Sequence, residues 1–240
     1  MNLHHIYDEI ADWWPLISAP ADYEEEAGFY TEILQRACNP RTVLELGSGG
    51  GNNASFMKRH FQMTLLDLSP AMLEVSRALN PDCEHVQGDM RKARLSRQFD
   101  AVFIHDAVMH MATRDDLQAA IQTAAAHCKL GGAILIAPDC TQETFKPTTG
   151  HGGEDGSGRS ARYLEWAYDE DLQDEQITVE MIYILKEQGK PAQIHHETWQ
   201  EGLFSEATWL TLLKKAGLSA EKQTVNHTGV GEIPIFLARK

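Results

Sequence analysis

The chain has 240 residues, 42% of them hydrophobic, and a formal net charge of −14 from 21 basic and 35 acidic side chains. That length suits one α/β domain with an elaboration, and the acidity works against a polyanionic substrate such as nucleic acid. The cysteines (Cys38, Cys83, Cys128, Cys140) form no C-x-x-C pair, which leaves zinc and redox motifs unsupported and favours reduced thiols in a cytoplasm.

In chain order, residues 1–37 read as helical and aromatic-rich, in two pieces split by Pro15 and Pro20. The opening residues have no basic region ahead of an apolar core, and no apolar run is long enough to span a bilayer, so neither a signal peptide nor a membrane helix is expected. Strands at 42–46, 63–67, 84–87, 100–105 and 133–137 then alternate with helices at 52–60, 70–79 and 115–128, and a short helix is read around 91–94. Ser69-Pro70 supplies an N-cap and a proline at the first helical position, and Gly131-Gly132 ends a helix before the last of these strands. This βαβ rhythm predicts a parallel sheet covered on both faces. After Pro138 the rhythm breaks. Residues 141–160 read as a long Gly/Thr/Ser-rich loop, and 177–186 with 193–200 as an antiparallel hairpin around Gln188-Gly189-Lys190-Pro191. A helix at 205–216 and strands at about 218–226 and 233–239 close the chain. The basic run Arg91–Arg97 is short and reads as a solvated turn.

The stretch Thr42-Val43-Leu44-Glu45-Leu46-Gly47-Ser48-Gly49-Gly50-Gly51-Asn52 is a strand running into a glycine loop and a helix start. Glycine permits positive φ and close approach of a ligand to the backbone, and the loop N–H groups with the helix N-terminus are expected to face that ligand. Asn52 stands where a dinucleotide fingerprint wants its third glycine, and no Lys-Ser/Thr follows, so neither a dinucleotide loop nor a P-loop fits. Asp67 ends the second strand, some twenty residues beyond Gly47, where an acid can accept from both ribose hydroxyls. Asp89 lies beyond the third strand, placed to accept from an adenine amine, with Leu68 and Met90 as apolar faces for the base. His105, Asp106 and His110 follow the fourth strand, at the sheet end where α/β proteins bind ligands.

Together these segments resemble the motif series of class I S-adenosylmethionine (SAM) dependent methyltransferases: E-x-G-x-G-x-G at Glu45–Gly51, the ribose acid Asp67, the adenine acid Asp89, and Lys129-Leu130-Gly131-Gly132 where the family has K-P-G-G. The resemblance implies an α/β, Rossmann-like seven-stranded sheet, mostly parallel with the last strand antiparallel, carrying N-terminal helices and an inserted β-hairpin lid. It implies a cap at 1–37, a SAM-binding core at 38–140, a lid at 141–204 and a C-terminal part of the sheet at 205–240. It also implies SAM as cofactor, S-adenosylhomocysteine as product, and Tyr23, Glu45, Gly47, Gly49, Gly51, Asp67, Leu68, Asp89, Met90 and His105 as cofactor-binding residues. The chain ends resemble the small-molecule amino-sugar and glycine N-methylating enzymes, with Tyr7 and Tyr23 near the sulfonium.

Methyl transfer needs alignment, exclusion of water and removal of a proton, for which histidine is suited near neutral pH. His110, His105 and one of His195/His196 are the candidate bases, and His110, His105, His196 and Tyr7 form the candidate catalytic set. On a strand His195 and His196 point to opposite faces, and pattern alone does not choose between them. The His105/Asp106/His110 spacing matches no metal-ligand motif, and no metal is expected. The function expected is methylation of an amine or hydroxyl of a small molecule, with no nucleic-acid or membrane partner; monomer and homodimer stay open. The alternatives are a non-catalytic SAM-binding or regulatory protein and an RNA or protein methyltransferase of the same fold.

Overall fold

The computed structural model describes residues 4–228 and 231–240; Met1 to Leu3 of the expected N-terminal cap lie outside the described residues. The chain begins with 3-10 turns at His5–Tyr7 and Ala11–Trp13, helix α1 (Trp14–Ile17), a third such turn at Pro20–Tyr23, and α2 (Glu24–Cys38). Strand β1 (Thr42–Leu46), α3 (Asn52–Met57), β2 (Gln62–Asp67), α4 (Pro70–Leu79), β3 (Glu84–Gln87), β4 (Phe99–Ile104), α5 (Arg114–His127) and β5 (Cys128–Ile136) follow. Next come β6 (Thr148–Gly152), β7 (Arg159–Tyr168), β8 (Gln176–Glu187), β9 (Gln193–Gly202), α6 (Glu206–Lys215), β10 (Ser219–His227) and β11 (Gly231–Arg239).

Local chemistry sets the ends of these elements. The Ser69, Thr113 and Ser205 side chains accept from backbone N–H groups at Met72, Asp116 and Thr208, capping α4, α5 and α6. Three glutamates occupy the first turn of α2, where the helix dipole favours them, and Asn39 ends it in the left-handed region.

Seven strands form one sheet in the order β10-β11-β5-β4-β1-β2-β3. Strands β1 to β5 pair in parallel, and β11 inserts antiparallel between β5 and β10. Because side chains alternate across a strand, each central strand feeds two cores. Leu44, Leu66, Val102, Ile104 and Ile134 pack with α5 and α6 on one face. Val43, Leu65, Phe103 and Leu135 pack with Tyr30 and Leu34 of α2 and Met57 of α3 on the other. A second, four-stranded antiparallel sheet, β6-β7-β8-β9, buries its inner face against the N-terminal turns through Ile6, Ile10, Trp13, Val179, Met181 and Trp199. Among the described residues no helix is long and apolar enough to cross a membrane.

Several expectations need correction. The lid is four strands rather than one hairpin: residues 141–160 hold β6 and the start of β7, paired from Thr148↔Ala167 to Gly152↔Tyr163. Residues 91–94 form a turn, held by the N–H groups of Lys92 and Ala93 on the Asp89 carbonyl. Strand β5 runs through Gly131-Gly132 instead of starting after it. Half of residues 4–23 lie in 3-10 turns, and Pro15 falls in the first turn of α1 rather than splitting a longer helix.

Candidate active site

A cavity of about 670 Å³ opens at the carboxyl ends of β1, β2, β4 and β5, between the main sheet, the inner face of the second sheet and the N-terminal turns. One half is built on the glycine loop. Gly47 has φ +76°, and a Cβ there would lie 2.5 Å from that of Ala107 and 2.6 Å from Met90 Cε. Gly49 (φ +51°) faces open space apart from Met72. The loop N–H groups do not point at a ligand as expected: those of Gly47 and Ser48 donate to the Leu66 carbonyl, at 2.7 and 3.1 Å, and that of Gly49 donates to Asp67 Oδ2 at 2.8 Å. The glycines therefore supply positive φ and closeness, and the loop is spent on fixing Asp67. Ser69 N–H holds the other Asp67 oxygen at 2.8 Å, which leaves further lone pairs for a diol. Burial pushes the Asp67 carboxyl up, while these N–H groups pull it down.

Leu68, Asp89 and Met90 line the same half. Arg91 clamps the Asp89 carboxylate through Nε and Nη2 at 2.7–3.1 Å, holding its pKa below the usual range, and reaches Asp116 at 2.9 Å. Asp89 can serve an adenine amine only by sharing oxygens already bonded to that guanidinium. Glu45 is 3% exposed, its Oε2 has no hydrogen-bond partner, and burial pushes its carboxyl up to about 8. A buried, unpaired acid facing a cavity is stabilised by a cation, which is what the ammonium of a methionine moiety offers. These residues fit SAM: an orphaned carboxylate, a loop with no Cβ in the way, and a pinned acid at the tip of β2.

The other half carries the candidate bases. His105 ends β4, with Nε2 3.4 Å from Glu26 Oε1 and Nδ1 3.3 Å from Asp106 Oδ1. Burial disfavours its charge, but the two carboxylates outweigh burial and hold its pKa well above the usual value. Its charged form is favoured, which suits it poorly to be a base. His110 is the opposite case: burial, with nearby His4, lowers it to about 4, which favours the neutral ring, able to accept a hydrogen bond. Its Nδ1 lies 3.8 Å from Glu201 Oε1. Tyr7 and Trp199 each have ring centroids 5.7 Å from the His110 ring, and Trp14 lies 5.7 Å from Tyr7. Tyr23 donates to or accepts from Ser18 Oγ at 2.7 Å, with its ring 6.3 Å from His105.

Two expected residues lie elsewhere. His196 points to the outer face of the second sheet, where Nε2 bonds Glu180 Oε2 at 2.6 Å, so it is a surface histidine. Gly51 does not line the cavity; Asn80 Nδ2 donates to its carbonyl at 2.9 Å, and it serves the packing of α3 against α4. The cavity also gathers Asp139, Glu165 and Glu201, which the sequence reading passed over. Asp139 follows the end of β5, and Glu201 shares the inward face of β9 with Trp199, two positions that strand-end and alternation rules could have flagged. Among the described residues no group of three His, Cys, Asp or Glu side chains is arranged to hold a metal.

Residues 43–132 match the model of a methyltransferase domain. Two relatives align along most of the chain. The dTDP-3-amino-3,6-dideoxy-alpha-D-glucopyranose N,N-dimethyltransferase of Streptomyces fradiae is 27% identical over 229 residues, 93% of this chain and 89% of the relative. The corresponding 3,4,6-trideoxy-sugar enzyme of Streptomyces venezuelae is 28% identical over 213 residues, 88% and 89% of the two chains. Among solved structures, Streptomyces venezuelae DesVI superposes with a TM-score of 0.83 at 23% identity, covering 100% of this chain and 99% of that one. SAM-bound CalS10, an amino pentose methyltransferase from Micromonospora echinaspora, gives 0.76 at 23% identity over 99% and 98%. With the loop, the pinned acid and the sheet order in place, the chain carries a methyltransferase domain over residues 43–132 and is similar along most of its length to the amino-sugar N-methyltransferases.

Proposed function

We propose that the chain methylates the amino group of a small, sugar-like acceptor. The observation that carries this reading is His110: a partly buried imidazole on the cavity wall whose neutral form is favoured, flanked by Glu201 and by the rings of Tyr7 and Trp199. The names of the two aligned relatives, both amino-sugar N,N-dimethyltransferases, support an amine as acceptor.

SAM, when bound, supplies an electrophilic methyl carbon on a positively charged sulfur. The chain's own part is positioning and proton management. An ammonium entering the cavity would first lose a proton to water; the neutral ring of His110 would then accept a hydrogen bond from a remaining N–H and aim the nitrogen lone pair in line with a bound methyl donor. Asp106 favours the positive charge that would develop there. Tyr7, Trp14 and Trp199 present π faces to the cationic centre and keep water out.

Release of S-adenosylhomocysteine, measured with a panel of amines and alcohols, tests the reaction. His110→Ala is expected to lower kcat by about 10²–10⁴-fold while SAM affinity is kept. An unchanged kcat would remove His110 from the chemistry. SAM binding with no turnover on any acceptor would point to a binding protein instead.

A further inference from the structure

We infer that the acceptor is a cationic amine that carries no phosphate or nucleotide diphosphate. The inference rests on the amine-methylating reading and concerns the remainder of the same substrate. The two aligned relatives have dTDP-linked sugars in their names. This chain's acceptor half is built for the opposite charge.

Asp106, Asp139, Glu165 and Glu201 all line that half. Against them stand His105, 3.3 Å from Asp106 and charged in part by it, and Lys146, the one Lys or Arg of that half among its described lining residues, since Arg91 at the cofactor end is occupied by Asp89 and Asp116. The arginines of the second sheet are not free to help. Arg159 bonds Asp12 at 2.8 Å and stacks 3.6 Å over the Trp13 ring, and Arg162 bonds Asp155 at 2.8 Å. A diphosphate is normally held by forked guanidiniums, free lysines or helix N-termini, and the acceptor half offers one lysine.

The aromatic wall points to a cation: the His4, Tyr7 and Trp199 rings lie 4.7–6.1 Å apart, and Trp14 extends it. Aromatic walls of this kind recognise ammonium groups, and more strongly methylated ones, through the ring quadrupole. Crowding also raises the acids together. Burial, with Asp106 nearby, pushes Asp139 up to about 7, and Glu201 is raised well above its usual value by burial and by Asp139 and Glu165. An arriving cation relieves that repulsion, and an arriving phosphate adds to it.

The test compares a free amino sugar, 3-amino-3,6-dideoxyglucose, with its dTDP conjugate by release of S-adenosylhomocysteine. It is paired with calorimetric titration of dTDP into the protein loaded with S-adenosylhomocysteine. The free sugar is expected to show a kcat/KM higher by about tenfold or more, with no dTDP binding up to about 1 mM. In the double variant Asp139→Asn/Glu165→Gln, KM for the free amine should rise and the penalty on the conjugate should shrink. Micromolar dTDP binding, or a conjugate turned over as well as the free sugar, would overturn the inference and leave amine methylation standing. Methylation of alcohols with no amine accepted in either form would overturn both.

Discussion

Glu45 sits within a parallel strand, its carboxyl pushed up to about 8 by burial, with His105 pulling the other way. Unfolded, the same group titrates near 4.5. Between those values the folded state binds the extra proton, so this residue makes the ligand-free protein less stable as pH rises from about 4.5 to about 8. Glu45→Gln is therefore expected to raise the melting temperature at pH 8 by several degrees and leave it nearly unchanged at pH 5. It should also weaken SAM binding, because the amide has no charge to offer an ammonium; thermal scans at the two pH values and a calorimetric Kd check both parts. At this scale the sequence is readable where a place on the cavity wall depends on position along a strand and its loop, as at Glu45, Gly47 and Asp67. It was unreadable where two neighbours compete for one face. His195 and His196 alternate across β9, and nothing local tells that the outer one pairs with Glu180. His105 and His110 lie five residues apart in one turn, and only the tertiary arrangement of Glu26, Asp106 and His4 charges one and neutralises the other.

Helix α3 and its neighbour α4 show how an element can borrow a residue from a motif. Gly51 caps α3 at φ +76°, and a Cβ there would overlap Ser76 Oγ and Asn80 Nδ2. Gly51→Ala is expected to destabilise the fold by about 1–3 kcal/mol or more from backbone strain and overlap. SAM affinity of the folded fraction should stay unchanged; denaturant midpoints and a calorimetric titration separate the two effects. The glycine pattern could not reveal this division of labour, because a ligand cradle and a tight helix–helix contact ask for the same residue. The second sheet hid for a related reason. Thr148-Thr149-Gly150-His151-Gly152 reads as loop, yet it is an edge strand whose Gly152 admits the Tyr163 ring, 2.8 Å from where a Cβ would stand. The parallel core was readable because its strands are apolar runs bounded by turn signals, while the short 3-10 turns of residues 4–23 depend on burial of Ile6, Ile10 and Trp13 rather than on periodicity.

At the scale of the molecule, the cavity is enclosed by three bodies of unequal firmness: the seven-stranded sheet, the second sheet, and the chain from His4 to Tyr23. The last is held by short turns and a few side chains. The Tyr7 carbonyl accepts from Ser69 Oγ, and Ile17 and Trp14 lean on the cavity wall. Segments with few regular hydrogen bonds open most readily, so amide exchange across residues 4–23 is expected to be fast in the free protein and to slow markedly when SAM is added. Equal exchange with and without SAM would show that the cofactor does not steady the segment. The same segment supplies His4, Tyr7 and Trp14 to the acceptor half. Its attachment runs through the glycine loop: Asn52 Nδ2 donates to the Ser18 carbonyl at 3.1 Å and to Ser18 Oγ at 3.3 Å, and that oxygen meets the Tyr23 hydroxyl at 2.7 Å. The residue that set this loop apart from a dinucleotide fingerprint is thus a tether. The expected consequence is an ordered sequence in which the cofactor binds before the acceptor and S-adenosylhomocysteine leaves last; product-inhibition kinetics check it, and random-order patterns would show that the tether does not couple the two halves.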